Sequence, residues 1–293
     1  MSFPKKRNVS QFEKNAVEGG VLYLVATPIG NLADISERAL KVLSEVDFVA
    51  AEDTRNTGLM ISRLDISKPM ISYFEHNKRE RGEIIVDRIE AGESCALVTD
   101  AGTPAISDPG EDIVRLCHER GVKVTSIPGC CAAITALTLS GLPTGRFTFE
   151  GFLSTSKSER RDRLSELASE TRTMIFYEAP HKLRGTLDDL LAHFGGDREI
   201  SLCREITKLN EDVCRTTIAE AVALYKEKEP RGEYVLVISG AKKTEIQPDY
   251  PDDPVEHVNQ LIEGGMSKMD AVKAAAKARG VPKNEIYNLI NRD

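Results

Sequence analysis

The residues with the clearest capacity for chemistry lie between Val98 and Gly110, which read V-T-D-A-G-T-P-A-I-S-D-P-G. Acidic and turn-forming residues crowd into this stretch directly after a short apolar segment. Gly102 permits a positive φ and close approach of the backbone, while Pro104 and Pro109 stiffen the loop. Main-chain amides and carbonyls then become the main recognition groups. The pattern predicts a ligand-binding loop, although an ordinary strand-to-helix turn can have the same composition.

Two predicted elements position this loop. Residues 94–99 are small, apolar and strand-like, and residues 111–120 have helical spacing. Open α/β sheets bind ligands at the carboxyl ends of their strands, and the loop lies at such an end. Four further segments also follow predicted strands: Thr27–Leu32, Glu52–Arg55, His76–Asn77 and Pro128–Ala133. Because parallel strands bring their ends to one edge, the sequence predicts a shared site there.

The alternation of strands and helices predicts an α/β protein in several parts. A flexible tail (1–20) precedes an N-terminal α/β domain (21–144) with a mostly parallel sheet, and the break G-L-P-T-G begins a second α/β domain (145–241). The second sheet is expected to be mixed, because two of its strands follow one another as a hairpin. A polar link leads to a small helical module (255–293).

Length and composition bound the class of protein. The 293 residues, of which 41% are hydrophobic, can bury two sizeable cores. No apolar run reaches the length of a membrane span, and the first 20 residues lack a signal-peptide core, so a cytoplasmic location without membrane association is expected. The net charge of −7 argues against a uniformly basic nucleic-acid binder.

The six cysteines show neither a C-x-x-C pair nor a spacing with histidine that suits zinc. The sequence therefore predicts no metal site and a reducing compartment. The adjacent Cys130 and Cys131 open a predicted helix, where a thiol can be activated. Small residues in a tight ligand-lining turn explain the pair at least as well.

The helical module is basic although the protein is acidic. Between residues 267 and 293 six Lys or Arg face three acids, and the helix, glycine turn and helix have the spacing of a helix-turn-helix. Phosphate contacts would suit this charge. The predicted RNA-binding residues here are Lys268, Lys273, Lys277, Arg279 and Lys283. A packing or dimerising helical pair is the alternative, because alanines at 271, 274, 275 and 278 form a close-packing face.

A second basic element follows residues 154–156, whose hydroxyls can cap a helix. Its cations are Lys157, Arg160, Arg161 and Arg163. They are predicted to contact RNA, and a solvated helix face is the alternative.

Seven ordered motifs carry a family resemblance: T-P-I-G-N-L-A-D-I, A-A-E-D-T-R-N-T-G, D-A-G-T-P-A-I-S-D-P-G, P-G-C-C-A-A-I-T-A-L, F-Y-E-A-P-H-K-L, R-E-I-T-K and R-G-E-Y-V-L-V-I. Through them the chain resembles the ribosomal RNA small-subunit methyltransferase I family, a branch of the tetrapyrrole-methylase superfamily. The resemblance implies methyl transfer from S-adenosylmethionine to the ribose 2′-hydroxyl of a cytidine in the decoding region of 16S rRNA. It also implies a homodimer acting on the small ribosomal subunit.

The resemblance further implies two α/β domains of tetrapyrrole-methylase type with the cofactor in the cleft between them. Carried over motif by motif, the cofactor residues would be Thr27, Pro28, Gly30, Thr103, Pro104, Ile106, Cys131, Ala132, Tyr177, Arg204, Glu205, Gly232 and Glu233. The opening T-P-I-G-N loop has fewer glycines than is common in the superfamily. Tyr177 and Glu205 could instead serve the domain core or a dimer.

Methyl transfer to a hydroxyl requires alignment and removal of the hydroxyl proton, so a carboxylate or histidine near the hydroxyl would act as general base. The candidates on strand-end loops are Glu52, Asp53, His76, Asp100 and Glu178, and the sequence does not rank them. Asp53 could alternatively cap a helix, with Arg55 as its ion-pair partner.

Three other functions are weaker. A superfamily methylase acting on a tetrapyrrole precursor is disfavoured by the basic helical module and by the E-D-T-R and R-G-E-Y motifs. A dinucleotide oxidoreductase needs G-x-G-x-x-G after the first strand, where Gly30 stands alone. A non-catalytic RNA-binding protein stays open, because no residue by itself proves turnover.

Overall fold

The structure is a computed structural model that describes residues 16–242 and 250–291. Most of the predicted N-terminal tail, part of the predicted link and Arg292 lie outside the described residues. The chain forms two compact units, residues 1–241 and 242–293. Among the described residues, no helix is both long and apolar enough to cross a membrane.

The first lobe of the larger unit is built on a five-stranded parallel sheet of order β3-β2-β4-β1-β5. The strands are β1 Val21–Val25, β2 Phe48–Ala51, β3 Met70–Ser72, β4 Cys95–Val98 and β5 Lys123–Ile127. The helices that cover it are α1 Glu37–Glu45, α2 Thr54–Ser62, α3 Lys78–Glu90 and α4 Glu111–Glu119. Strands β2 and β4 are buried throughout, as continuous apolar runs covered on both faces should be.

Strand alternation divides the apolar side chains of this sheet between two cores. Val49 and Val98 face α1 and α2, whereas Phe48 and Leu97 face α3 and α4. Because both faces are covered by helices, ligands can approach only at the strand ends and loops. The predicted α/β class and the parallel sheet are confirmed.

The second lobe has a mixed sheet of order β6-β7-β10-β8-β9. Its strands are β6 Phe147–Phe152, β7 Thr173–Glu178, β8 Glu199–Arg204, β9 Asp212–Thr217 and β10 Tyr234–Ile238. Only β6 and β7 pair in parallel, and the predicted hairpin of β8 and β9 is confirmed. Helices α6 Lys157–Leu167, α7 Leu183–Phe194 and α8 Ile218–Glu227 cover one face over the largest apolar core.

Helix α5 (Ala132–Ser140) covers the other face of the second sheet. Its Ala133, Ala136 and Leu137 form one buried cluster with Ile175 and Val235 of that sheet. The sequence assigned this helix to the first domain (21–144), and its packing instead joins it to the second lobe. The helix therefore begins at a loop of one lobe and packs on the other.

A β-bulge bends the edge strand β6. Phe149 lies opposite Ile175, and Gly151 opposite the next residue, Phe176, so one extra residue is accommodated. Gly151 takes a φ of +61°, which glycine adopts without strain. The bulge puts Phe149 and Phe152 on one face beside Tyr177, with ring centroids 5.1 and 5.5 Å from its ring.

The C-terminal unit contains helices α9 Pro254–Glu263, α10 Lys268–Arg279 and α11 Lys283–Ile290. Val258, Val272 and Ile286 form its small core together with buried alanines of α10. Gly280, with a φ of +66°, ends α10 in the left-handed conformation that glycine favours. The three predicted helices are confirmed.

Candidate active site

Loops of the first lobe and strands of the second enclose a cavity of about 510 Å³. This volume lies within the range of small-molecule sites. The loops that follow β1, β4 and β5 form one side, and β7, β8, β10 and their adjoining loops form the other. Three of the five strand-end segments that the sequence predicted to converge line the cavity, and a fourth, which carries Glu52, contacts the loop after β4.

Seven of the predicted cofactor residues line this cavity: Thr103, Ile106, Cys131, Ala132, Tyr177, Glu205 and Glu233. Five motifs that are far apart in the sequence therefore meet at one cavity wall.

The other six predicted cofactor residues are not part of the wall: Thr27, Pro28, Gly30, Pro104, Arg204 and Gly232. Thr27 is buried and exchanges main-chain hydrogen bonds of 2.9 and 3.1 Å with Gly102, and its hydroxyl donates to the Thr99 carbonyl at 3.2 Å. It joins two strand-end loops instead of facing the cavity.

Gly30 and Gly232, the two glycines among these six residues, leave room for side chains that line the cavity. A Cβ on Gly30 would lie 2.4 Å from Cγ of Lys208, and a Cβ on Gly232 would lie 2.4 Å from Cγ of Glu205. Gly232 also has a φ of +76°. Both positions therefore need glycine for close packing of the residues that line the cavity.

The loop after β4 is held in an unusual backbone conformation. Ala105 and Ser107 have φ values of 67° and 64°, which residues with a Cβ adopt rarely. The Thr103 hydroxyl donates to the Cys130 carbonyl at 2.9 Å and so ties this loop to the one after β5. Such strain persists only where surrounding contacts enforce it, and it concentrates at functional sites.

A group of carboxylates stands at the end of this loop. Asp108 lines the cavity, and burial together with the charges of Glu52 and Asp100 raises its pKa to about 7. Burial also raises the pKa of Glu52, which accepts a 3.4 Å hydrogen bond from the Asp100 amide. Asn56 donates to the Asp100 carboxylate at 2.9 Å. Asp108 was not among the predicted bases, although it lies in the same motif as Asp100.

The other predicted bases, Asp53, Glu178 and His76, have different surroundings. Asp53 caps α2 by accepting from the Arg55 amide at 2.8 Å, and its bonds to Arg55 lower its pKa to about 2. This confirms the capping arrangement that the sequence allowed. Glu178 lines the cavity and is buried, where it accepts from the Thr186 hydroxyl and from the Ala179 amide. His76 is exposed and is not part of the cavity wall.

Side-chain networks hold the second-lobe wall. The Tyr177 hydroxyl accepts from the Ala133 amide at 3.2 Å, and burial raises the Tyr177 pKa to about 12. Lys208 donates to Glu205 at 2.9 Å and to Glu233 at 2.7 Å. This ammonium lowers the pKa of Glu205, so that carboxylate stays ionised at neutral pH.

The cysteines do not form a nucleophilic centre. All six are free thiols, and burial raises the pKa of Cys130, which disfavours a thiolate there. Cys131 lines the cavity as a small side chain. The described part of the chain contains no cluster of His, Cys, Asp or Glu able to hold a metal ion.

The cations of α6 divide into two classes. Arg160 is only 16% exposed and donates to Asp189 at 2.5 Å and to Thr186 at 2.8 Å. Arg163 pairs with Glu150 at 2.6 Å and with Glu166 at 2.9 Å. Lys157 is exposed, and Arg161 is 68% exposed beside Asp162. The predicted RNA contact stays a prediction for all four, and it is best supported for Lys157 and Arg161, because Arg163, although exposed, is held by two glutamates.

In the C-terminal unit, Lys268, Lys273, Lys277 and Lys283 are exposed. Lys273 pairs with Asp270 at 3.2 Å, while Lys268 donates to Asn291. Arg279 is tied inward, since its guanidinium donates to the Asp252 carbonyl at 2.9 Å and lies over the Tyr250 ring. The four lysines keep a surface suited to phosphates.

Comparisons with known proteins agree on one family. The family profile Tetrapyrrole (Corrin/Porphyrin) Methylases matches residues 21–222. A protein of Synechocystis named Ribosomal RNA small subunit methyltransferase I is 44% identical over 271 residues, covering 92% of this chain and 97% of its own length. The protein of the same name from Halalkalibacterium halodurans is 46% identical over 277 residues, covering 94% of this chain and 96% of its own.

Solved structures of similar fold are more distant in sequence. Uroporphyrin-III-C-methyltransferase from Thermus thermophilus has a TM-score of 0.54 at 18% identity, over 75% of this chain and 94% of that one. A structure of diphthine synthase has a TM-score of 0.57 at 16% identity, over 75% and 90%. A Thermus thermophilus uroporphyrin-III C-methyltransferase complexed with S-adenosyl homocysteine reaches 0.53 at 20% identity, over 75% and 97%. These similarities concern the fold.

Proposed function

Because this chain belongs to the ribosomal RNA small subunit methyltransferase I family and has the tetrapyrrole-methylase fold, we propose that it methylates the ribose 2′-hydroxyl of a cytidine in the decoding region of 16S rRNA. Methyltransferase activity and S-adenosylmethionine as cofactor follow from the family. The choice of ribose, cytidine and decoding region is the proposed step.

The observation that carries the proposal is the shared wall of seven motif residues together with an acidic corner at Asp108. Transfer of a methyl group to a hydroxyl releases a proton, which an adjacent carboxylate can accept. A cavity with such a carboxylate therefore suits a hydroxyl acceptor.

The residues present fit the cofactor. S-adenosylmethionine carries a sulfonium, an ammonium and a carboxylate group, and it supplies the methyl group when bound. Glu205 and Glu233 on the wall offer negative charge to the two cations. Lys208, on the same wall, offers positive charge to the carboxylate.

Each lobe has a task in this reaction. The hydrogen bond from Thr103 to the Cys130 carbonyl ties together the two first-lobe loops that form the wall around Ile106. Tyr177, still protonated at neutral pH, anchors the start of α5 at the cavity. Positioning of this kind can supply much of the acceleration in a displacement at carbon.

For the RNA partner, the proposal assigns Lys157, Arg161 and the exposed lysines of the C-terminal unit to phosphate contacts. Folded RNA is recognised largely through shape and phosphates, so separated groups of cations are sufficient. The proposal includes a homodimer, whose paired surfaces would extend this contact area. An rRNA substrate would place the reaction in the cytoplasm.

Methyl incorporation tests the proposal. The full chain is incubated with labelled S-adenosylmethionine and, in parallel, with small ribosomal subunits, naked 16S rRNA or a porphyrin precursor. Nucleosides from digested RNA are identified by mass spectrometry. Label in 2′-O-methylcytidine from RNA supports the proposal. Label confined to a base, or to the porphyrin precursor, would contradict it.

A further inference from the structure

Asp108 occupies a distinctive position on the cavity wall. It directly follows Ser107, whose φ of 64° is rare for a residue with a Cβ, and it precedes Pro109. Neighbours on both sides therefore restrict the backbone that carries this carboxylate. Such a loop holds a side chain in place before any ligand arrives, as a catalytic group requires.

The Asp108 carboxylate is also unpaired. Across residues 16–242 and 250–291, none of the hydrogen bonds or ion pairs involves it. The other acids near the cavity are engaged: Arg55 holds Asp53, and Lys208 holds Glu205. A general base needs a free lone pair, and Asp108 keeps both of its oxygens available.

The two charges that act most strongly on Asp108 are negative. Glu52, from the loop after β2, and Asp100, from the loop after β4, both act on it, and Tyr177 approaches from the second lobe. The other charged or titratable side chains that line the cavity include Glu178, His181, Glu205, Lys208 and Glu233. Burial and the two carboxylates raise the Asp108 pKa to about 7, which is near the optimum for a base that works at neutral pH.

We propose that Asp108 is the general base that removes the proton of the acceptor hydroxyl, and that Glu52 and Asp100 are positioning residues that tune it. The inference rests on the proposed function. An oxygen of Asp108 takes the 2′-hydroxyl proton while a lone pair of the 2′-oxygen forms the bond to the methyl carbon. The carbon–sulfur bond breaks with its electron pair left on sulfur, giving S-adenosylhomocysteine. Asp108 then releases the proton to water.

Protonation of Asp108 sets the sign of the pH dependence. A protonated Asp108 cannot accept a proton, so the rate of methyl transfer rises about tenfold per pH unit below a pKa of about 7 and is constant above it. The charge of Glu52 is one cause of the raised pKa of Asp108. Removing that charge should therefore move the inflection of the pH–rate profile to lower pH.

The experiment is single-turnover methylation of small ribosomal subunits by the full chain between pH 5.5 and 8.5. Variants are Asp108→Asn, Asp108→Glu and Glu52→Gln, with Asp65→Asn as control. Asp65 is an exposed aspartate with a φ of 58°, which asparagine tolerates. We expect Asp108→Asn to lose roughly 10²–10⁴-fold in rate together with the inflection near neutrality. Its dissociation constant for S-adenosylmethionine, measured by calorimetry, should stay within about tenfold of wild type.

Asp108→Glu keeps a carboxylate, so it should transfer slowly yet retain an inflection, and Glu52→Gln should shift the inflection downward. These two variants test the inference even where Asp108→Asn fails to fold. An Asp108→Asn enzyme with wild-type rate and inflection would overturn the assignment of the base alone. A wild-type enzyme that binds S-adenosylmethionine but produces no 2′-O-methylcytidine would overturn the proposed function as well.

Discussion

The two lobes build their sides of the cavity by different means. The first lobe uses main chain: Ala105 and Ser107 in left-handed conformations, and the paired backbones of Thr27 and Gly102. The second lobe also has left-handed residues, Glu205 and Thr207, but it adds charged side chains in networks, of which Lys208 between two glutamates is one example. Added bulk should therefore be tolerated poorly at Thr103 in the first lobe, whereas the loss of a single hydrogen bond from the second-lobe networks should have a graded effect.

Arg160 extends the network of the second lobe. It donates to the Thr186 hydroxyl, which donates in turn to Glu178 on the cavity wall. A cation that the sequence predicted to contact RNA thus supports the cavity from behind. A charge on a helix can therefore support the site without facing the solvent.

Thr103→Arg should give the largest effect. The new side chain would fill the cavity at its backbone-built side, and the hydrogen bond to the Cys130 carbonyl would be lost. We expect affinity for S-adenosylmethionine to fall at least about 100-fold, measured by calorimetry. Thr138→Arg, at an exposed position of α5, is the matched control. Undiminished affinity in a folded Thr103→Arg protein would place the cofactor elsewhere.

Arg160→Glu should give the second-largest effect. Loss of the bonds to Asp189 and Thr186, with repulsion from Asp189, should reduce the free energy of unfolding by about 2 kcal/mol. Chemical denaturation measures this change. Arg161→Glu, exposed on the same helix, should leave stability unchanged and weaken binding to the small subunit severalfold. Equal stability of the two variants would remove Arg160 from the supporting network.

Deletion of residues 243–293 examines a part of the chain that belongs to neither lobe. This segment is almost all of a compact unit with its own core, so the remaining chain should keep its affinity for S-adenosylmethionine. Loss of the exposed lysines should weaken RNA association by about tenfold at low salt and flatten its salt dependence. Filter binding at several salt concentrations measures both. Unchanged RNA affinity at matched salt would make these helices structural.

Tyr177→Phe should give the smallest effect. It removes one hydrogen bond, from the Ala133 amide, while the ring keeps its contacts with Phe149 and Phe152. We expect a loss of about 1 kcal/mol in the free energy of unfolding and a change of only a few-fold in cofactor affinity. A hundredfold loss of affinity would show that the Tyr177 hydroxyl itself contacts the ligand. It would contradict the expectation that losing one hydrogen bond in the second lobe has only a graded effect.

Much of the fold could be predicted because local patterns determine it. Strand β4 is a short apolar run between turn residues, and Asp53 precedes α2 with the side chain that a cap requires. The side on which α5 packs could not be predicted, because Ala133 and Leu137 are apolar whichever sheet they cover.

The sequence predicted the site residues that lie in family motifs. It did not predict properties that depend on contacts with residues far away in the sequence. Thr103 and Tyr177 lie in motifs and line the cavity. The raised pKa of Asp108 depends on burial and on the charge of Glu52, which is far away in the sequence. Arg160 has its partner Asp189 on another helix, and no local pattern reveals that pair.

The position of α5 also bears on how the chain folds during synthesis. A nascent chain that has emerged only to residue 144 would contain the whole first sheet and an α5 whose apolar face has nothing to cover it. That face is buried only after β7, β8 and β10 have paired, the last of which ends at Ile238. Burial of the apolar face of α5 is therefore a late folding step, which waits for the second sheet to form.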